Sequence, residues 1–259
     1  MIPESKNAPG DSRRRLYAQY SANFGSAKPN DPAVQFRQFE ICYGGRLPGT
    51  SSAIGDLGCG KGEWLAWLRS KGRTDLWGVD GSPADAAMAR SQNPGVEIVQ
   101  GGICEALREK AACFDLLHAK DVIEHLQRDE LFAFLDACRV ALKPGGQLWL
   151  LTFNAQSPLA NATRYGDLTH EIGLTPTSMR QLLAAAGFAI GSVRGIHICP
   201  RTVGGFMRKI LWHAFAIPAG LLLRARHGGV ADENVETFSV APDLFAVAKK
   251  PPVTSGPAV

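Results

Sequence analysis

The sequence predicts an α/β protein with a mostly parallel sheet and helices on both faces. Strand-like and helix-like segments alternate from residue 53 onward, glycines separate the first strand from the first helix, and an acid closes the second strand. Alternation at this spacing implies right-handed crossovers between parallel strands. The chain has 259 residues, 45% of them hydrophobic, which is enough for one large core.

The elements follow in chain order. Residues 1–12 are polar and predict a disordered tail, and 13–46 predict a helical N-terminal extension to a single domain spanning 13–250. Strands are expected near 53–57, 75–80, 96–100, 114–120 and 147–153, with two more near 187–190 and 243–249. Helices are expected near 61–71, 83–91, 103–110, 128–142 and 177–186. Residues 198–240 form a long insertion before the last strand, and 251–259 form a loose tail.

The glycine-rich segment from Asp56 to Gly62 is the most informative part of the chain. Glycines between a strand and a helix let the backbone turn tightly and let a ligand approach the main chain. The carboxylate of Asp56 would repel a pyrophosphate but would suit a cation, such as an ammonium or a sulfonium. Asp80 closes the next strand 20 residues after Gly60, the spacing at which a carboxylate accepts ribose hydroxyls. Alternatively, Asp80 caps the helix that Ser82 begins.

Composition excludes several classes of protein. The net charge of +4 comes without a basic and aromatic cluster, so no nucleic-acid partner is expected. The six cysteines form no C-x-x-C pair and have no zinc-ligand spacing, so no metal site is expected. Scattered thiols without a secretory leader predict a cytoplasmic protein. No stretch reaches the roughly 18–20 apolar residues that span a bilayer.

Four motifs together resemble the class I S-adenosylmethionine-dependent methyltransferases. They lie at 56–62, 78–83, 114–126 and 142–146, in the order in which that family has them. The resemblance implies a Rossmann-like sheet of seven strands whose last strand is antiparallel, with S-adenosyl-L-methionine as cofactor. It also implies the cofactor-binding residues, from the methionine end through the ribose and the adenine to the open side of the site: Asp56, Gly58, Cys59, Gly60, Asp80, Gly81, Gly102, Ile103, Lys120 and Asp121. The family often has an acid where this chain has Gly102, so the backbone of Ile103 is expected to recognise the adenine.

A narrower resemblance concerns the methyl acceptor. Residues 161–175 look like bacterial methyltransferases encoded alongside polysaccharide and glycan assembly, which implies an O-methyltransferase acting on a sugar or glycan-type acceptor. Two alternatives stay open. One is a small-molecule methyltransferase acting on a quinone precursor or a natural product, and the other is a non-catalytic cofactor-binding protein.

A hydroxyl acceptor benefits from a nearby base, because it is a poor nucleophile until it loses its proton. His170 is the first candidate, in an acceptor-side loop predicted for 154–175, with Asp167 three residues earlier to orient the imidazole. The alternative is that Asp167, His170 and Arg164 only staple this loop. His125 is the rival base, while Arg164 and Tyr165 are expected to bind an acidic acceptor. Metal binding by Asp121, Glu124 and His125 is disfavoured.

The segment 203–226 places mostly apolar residues between basic flanks. Such a segment suits a lid over the acceptor pocket or a homodimer contact. It also suits an interfacial helix on an anionic membrane, which would make the protein peripheral on the inner face.

Overall fold

One seven-stranded sheet organises the molecule. The computed structural model describes residues 15–16, 31–196, 203–226 and 239–252. Its strands are β1 (Ile54–Leu57), β2 (Leu76–Asp80), β3 (Glu97–Gln100), β4 (Phe114–Lys120), β5 (Leu142–Phe153), β6 (Ala189–Ile196) and β7 (Asp243–Lys249). Their order across the sheet is β3-β2-β1-β4-β5-β7-β6. Strands β1 to β5 are parallel, and β7 is antiparallel to both β5 and β6, which confirms the predicted fold.

Eight α-helices accompany the sheet in the described part of the chain. They are α1 (Pro32–Tyr43), α2 (Glu63–Ser70), α3 (Pro83–Gln92), α4 (Ile103–Leu107), α5 (Arg128–Ala141), α6 (Ala160–Gly166), α7 (Pro176–Ala185) and α8 (Val203–Arg226). Sequence signals place several starts: Ser82 accepts a hydrogen bond from the backbone of Asp85, and Thr175 does the same for Ser178. The region predicted as a loop at 154–175 contains the helix α6. The sequence did not predict this helix, because no periodic apolar pattern marks so short a segment.

The core lies on both faces of the central strands. Strands β1, β4 and β5 are buried almost throughout, and their apolar side chains pack against α2 on one face and α5 on the other. Trp67, Trp149 and Phe134 are among the largest fully buried side chains. A sheet covered on both faces explains why these strands have nearly continuous apolar runs rather than alternating ones.

The carboxyl ends of β1, β2 and β4 meet at one edge of the sheet. The loop after β1 needs its glycines, because Gly58, Gly60 and Gly62 all have positive φ angles between 53° and 82°. A Cβ on Gly62 would lie 2.4 Å from Nδ2 of Asn93, so this glycine also lets α2 approach α3 closely. At the end of β4, Asp121 has a φ of 52°, a conformation uncommon for a residue with a side chain.

Several predictions fall outside the described residues: the tail at 1–12, part of the extension at 17–30, the ends of the insertion at 198–202 and 227–238, and the tail at 253–259. Within the described residues, no helix is long and apolar enough to cross a membrane.

Candidate active site

A cavity of about 330 Å³ lies at the carboxyl edge of the sheet, beside the glycine loop. Five of the predicted cofactor residues line it: Asp56, Gly58, Cys59, Gly60 and Lys120. The remaining described lining comes from α1, α2 and β4: Gln35, Gln38, Phe39, Glu63, Trp64 and His118. The N-terminal extension therefore forms one wall of the site, a role that the sequence analysis did not give it.

Asp56 is held by a buried chain of hydrogen bonds. Its Oδ1 lies 2.8 Å from Nδ1 of His118, and Nε2 of His118 lies 2.9 Å from the hydroxyl of Tyr43. Because a carboxylate oxygen only accepts, Nδ1 of His118 donates to Asp56, and the Tyr43 hydroxyl is the hydrogen-bond partner of Nε2. Burial raises the pKa of Tyr43 well above its usual value, which keeps this hydroxyl protonated as a donor. This Tyr43–His118–Asp56 relay joins α1 to the cavity floor.

Aromatic rings fix the orientation of His118. The Trp64 indole stacks on the imidazole with ring centres 4.0 Å apart and planes 20° apart, and the Tyr43 ring meets it edge-on. The sequence analysis treated Trp64 as core packing and did not single out His118 or Tyr43. A signal for His118 existed, since it is the one histidine in the central strands β1, β4 and β5.

Asp80 binds the backbone on both sides of the site entrance, at the glycine loop and at the start of α3. Its Oδ2 accepts the backbone N–H of Gly60 at 2.8 Å, and its Oδ1 accepts that of Ser82 at 2.8 Å, at the start of α3. Burial raises the pKa of Asp80 from its ordinary value, although these two hydrogen bonds oppose the shift. The described cavity lining includes Asp56 but not Asp80. Its ribose role therefore stays a prediction, compatible with one remaining lone pair on each oxygen.

The other predicted cofactor residues lie along the same edge. A Cβ on Gly60, Gly81 or Gly101 would meet nothing within 4 Å, so this stretch of backbone is open to a ligand. Gly102 precedes α4, which begins at Ile103, and Gln100 reaches back to the carbonyl of Gly81 at 3.3 Å. The predicted role of Gly102 and Ile103 in binding the adenine stays a prediction.

Lys120, which lines the cavity, forms an ion pair with Asp121, and the predicted place of Asp121 at the open side of the site stays a prediction. Burial alone would lower the pKa of Lys120, but the carboxylates of Asp121 and Glu124 outweigh it and raise that pKa above its ordinary value. The ammonium of Lys120 therefore keeps its charge beside the cavity.

A second cluster of titratable groups follows β4. Nδ1 of His125 lies 3.0 Å from the Thr169 hydroxyl, which itself donates to Oδ1 of Asp167 at 2.6 Å. Because the Thr169 hydroxyl donates its proton to Asp167, its oxygen accepts a hydrogen bond from Nδ1 of His125. In the neutral ring the lone pair is then on Nε2. Burial, with a further contribution from His170, lowers the pKa of His125. Asp167 thus orients His125 through Thr169, a link that the sequence analysis did not foresee.

His170 lies against His125, with ring centres 4.8 Å apart, and stacks on Phe153. Its Nδ1 is 3.0 Å from the carbonyl of Thr163, so that nitrogen donates and Nε2 can accept a proton. Nε2 lies 3.9 Å from Oδ2 of Asp167, too far for a hydrogen bond but close enough for charge stabilisation. The expected pairing of Asp167 with His170 is therefore electrostatic only.

Arg164 secures the loop that carries His170. Its guanidinium donates to the carbonyls of His170 and Glu171 and lies 5.3 Å from the ring centre of Tyr165. This geometry matches the stapling alternative, and a role for Arg164 in acceptor binding stays a prediction. Tyr165 is 75% exposed, so its ring could still contact an acceptor.

Glu124 completes this cluster as a buried acid. Burial and the nearby charge of Asp121 raise its pKa to about 8, and its Oε2 has no hydrogen-bond partner among the described residues. Ligand atoms of Glu124, His125 and His170 lie within 4.8 Å of one another, so the three could hold a metal ion. The sequence analysis expected no such set, because it did not bring His170 to Glu124.

Solved structures define the class of protein to which this fold belongs. A methyltransferase from Archaeoglobus fulgidus, described as SAM-dependent, superposes with a TM-score of 0.63 at 18% identity, over 90% of this chain and 99% of that one. A Burkholderia thailandensis 1,6-didemethyltoxoflavin-N1-methyltransferase, solved with its substrate and S-adenosylhomocysteine, superposes with a TM-score of 0.57 at 16% identity, over 95% and 91%. The fold is that of the S-adenosylmethionine-dependent methyltransferases.

The chain belongs to the family described as "Methyltransferase domain", which it matches over residues 46–193. Among curated proteins it is similar to the mitochondrial ubiquinone biosynthesis O-methyltransferase of Rattus norvegicus, with 28% identity over 167 residues. The match spans 58% of this chain and 48% of that protein, so the chain spans about half the length of this relative. The enzyme of the same name from Sinorhizobium medicae is 26% identical over 159 residues, or 56% of this chain and 63% of that protein.

The cavity fits S-adenosylmethionine, the cofactor of this family. Asp56 lines the cavity, and of its two carboxylate oxygens only Oδ1 has a hydrogen-bond partner among the described residues. Its Oδ2 can therefore accept a hydrogen bond from a ligand ammonium. The bare backbone at Gly60 leaves space where a side chain would stand. Asp56, Gly58, Cys59 and Gly60 would hold the methionine end.

Proposed function

We propose that this protein is an O-methyltransferase whose acceptor is a small aromatic hydroxyl compound of the quinone-precursor type. The observation that carries the proposal is the cluster of Glu124, His125 and His170, in which the first two are buried and His170 is partly exposed. Glu124 and His125 follow closely after Lys120, the last residue of β4, which lines the cofactor cavity. An imidazole is a suitable proton acceptor near neutral pH, so this cluster suits an acceptor that must lose a proton.

The names of the relatives support the same acceptor class. Two similar proteins, one mitochondrial and one bacterial, are named ubiquinone biosynthesis O-methyltransferases. The sugar or glycan acceptor expected from residues 161–175 has no counterpart among these names and stays a prediction. Phe153 stacks on His170, and Tyr165 exposes its ring in the neighbouring helix α6, so aromatic side chains are available for a planar acceptor.

Each residue has a defined task in this proposal. The cofactor supplies a methyl group on a positively charged sulfur. Asp56 and the glycine backbone fix the position of that cofactor, while Nε2 of His170 takes the proton of the acceptor hydroxyl. Asp167 stabilises the charge that His170 gains, and Thr169 holds His125 so that the two rings stay in contact. Alignment of the reacting groups at near-attack distance supplies much of the rate, about 7–11 kcal/mol in well-oriented systems.

Replacing His170 by Ala tests the base. We expect kcat to fall by roughly 10²–10⁴-fold, while the dissociation constant of S-adenosylhomocysteine, measured by isothermal titration, stays unchanged. His125→Ala is the matched variant, since it removes the neighbouring imidazole and leaves Nε2 of His170 in place. Full activity in His170→Ala together with inactive His125→Ala would transfer the role to His125, and full activity in both would refute the base.

A panel of acceptors with radiolabelled S-adenosylmethionine tests the substrate class. Catechols and hydroxyquinone precursors are expected to accept label, whereas free sugars and oligosaccharides are not. The panel is run with and without EDTA. If proton transfer to His170 suffices, chelation leaves the rate unchanged. Loss of activity that Mg²⁺ or Mn²⁺ restores would instead assign Glu124, His125 and His170 to a metal ion.

A further inference from the structure

The helix α8 has two opposite faces of different character. Its least exposed side is formed mostly by small residues: Gly205, Ala216 and Gly220 are buried, and Ala219 and Trp212 are half-buried. At about 100° per residue, these positions fall on one side of the helix. The helix spans 24 residues, or about 36 Å at 1.5 Å per residue.

The opposite side carries large apolar side chains into solvent. Nine of them are between 46% and 84% exposed: Val203, Phe206, Met207, Ile210, Leu211, Phe215, Ile217, Leu221 and Leu222. A surface helix normally turns its large apolar side chains inward and its polar face outward, whereas α8 exposes its large apolar side chains. A groove of about 670 Å³ runs along it, and its lining among the described residues belongs to this helix. An apolar face of this length in the described structure needs an occupant.

The charges on α8 show which occupant fits. The segment 203–226 contains four Lys and Arg residues and no acid. Arg208 and His213 are exposed at the two margins of the apolar face, and Lys209 is exposed one turn before His213, toward the side of Ala216 and Gly220. Arg224 and Arg226 belong to the last turn. Long basic side chains at the margins of an apolar face can reach anionic headgroups while the apolar side chains enter the acyl boundary.

We propose that α8 binds the surface of an anionic membrane, with its apolar face inserted and its basic margins on the headgroups. A second copy of this chain fits less well, because two such helices would bring basic margins together without an acid to pair them. No described helix is long and apolar enough to span the bilayer, so the contact is interfacial. This inference does not depend on which acceptor is methylated.

Co-sedimentation of the full chain with sucrose-loaded vesicles tests the proposal. We expect the protein to bind vesicles of equal parts phosphatidylcholine and phosphatidylglycerol, to bind phosphatidylcholine alone about tenfold or more weakly, and to be released by high salt. Phe215→Asp should weaken vesicle binding about tenfold to hundredfold, because it removes one inserted ring and introduces a negative charge that the anionic lipid repels. Arg208→Glu combined with Lys209→Glu should weaken it about tenfold or more.

Phe132→Asp on α5 is the matched control. Phe132 is 43% exposed and Phe215 is 48% exposed, so both changes place a charge at a similarly exposed ring. Vesicle binding should survive Phe132→Asp, and S-adenosylhomocysteine binding should survive all of these variants, which shows that they fold. Equal binding of wild type and Phe215→Asp would overturn the proposal. It would also be overturned if the wild type ignored vesicles and sedimentation velocity showed a dimer that Phe215→Asp dissociates.

Discussion

The hydrogen bond between His118 and Asp56 gives a test of how the cofactor cavity is built. His118→Phe keeps a ring to stack on Trp64 but removes both nitrogens. The two side chains are only 2% and 4% exposed, so the carboxylate loses a buried partner that water cannot easily replace. A hydrogen bond to a charged group is worth about 1.5–3 kcal/mol, and the stranded Tyr43 hydroxyl adds about 1 kcal/mol. We expect the free energy of unfolding to fall by about 2–4 kcal/mol.

The same substitution should lower affinity for one end of the cofactor. If Asp56 faces the ammonium of the methionine end, S-adenosylhomocysteine should bind about tenfold to hundredfold more weakly, corresponding to 1.5–3 kcal/mol. The affinity of 5′-methylthioadenosine, which lacks that ammonium, should not change. Isothermal titration with both compounds measures the difference. Tyr43→Phe, which removes only the distant hydroxyl, should have a smaller effect in the same direction. Equal weakening of both ligands would mean that His118 only supports the fold, and the reasoning would then be refuted.

Three further predictions concern the glycine loop, the ribose acid and the buried glutamate. Gly62→Ala should destabilise the protein by about 1–3 kcal/mol in urea unfolding, because Gly62 has a φ of 82° and a Cβ there would lie against Asn93. Gly60→Ala should mainly weaken cofactor binding, because a Cβ there would enter open space beside the cavity. Asp80→Ala should weaken the binding of S-adenosylhomocysteine by roughly 1.5–3 kcal/mol in titration calorimetry. An unchanged affinity would leave Asp80 with the capping role alone. Glu124→Gln should stabilise the protein by about 1–3 kcal/mol at pH 7.5. Because the pKa of Glu124 is raised to about 8, the folded protein holds a proton that the unfolded chain releases above its ordinary pKa of 4.5. The stability of the wild type therefore falls as the pH rises between these two values. The advantage of Gln should vanish near pH 4.5. An advantage of Gln that is independent of pH would contradict this account.

The order of elements could be predicted because strands and helices alternate with clear signals. Buried apolar runs, the glycines after β1 and the caps at Ser82 and Thr175 are local features, and local features can be read without coordinates. The segment 143–146 shows the limit. The strand was predicted near 147–153, but β5 begins at Leu142, and 143–146 lies inside it at a register shift, where Phe114 pairs with Leu142 and Leu116 already pairs with Gln147. Bulges depend on the partner strand, which no single segment reveals.

The site divides in the same way. Asp56, Gly58 and Gly60 could be placed in the cavity because they belong to one contiguous loop. The relay from Tyr43 through His118 to Asp56 could not, because its members are 75 and 62 residues apart in sequence. The same holds for Thr169 and His125, which are 44 residues apart. Polar groups buried on different elements find each other only through the packing of those elements, and a pattern within one segment does not record that packing.

The position of β7 has a consequence for how the chain reaches its final form. This strand is the last in the sequence, yet it lies between β5 and β6 and pairs with both. During synthesis, β5 must wait with an open edge of unpaired N–H and C=O groups until residue 249 has emerged. An open edge on a buried apolar strand invites pairing with other chains, so the growing protein is most prone to aggregate in that interval. Shortening the chain before Asp243 would make that interval permanent.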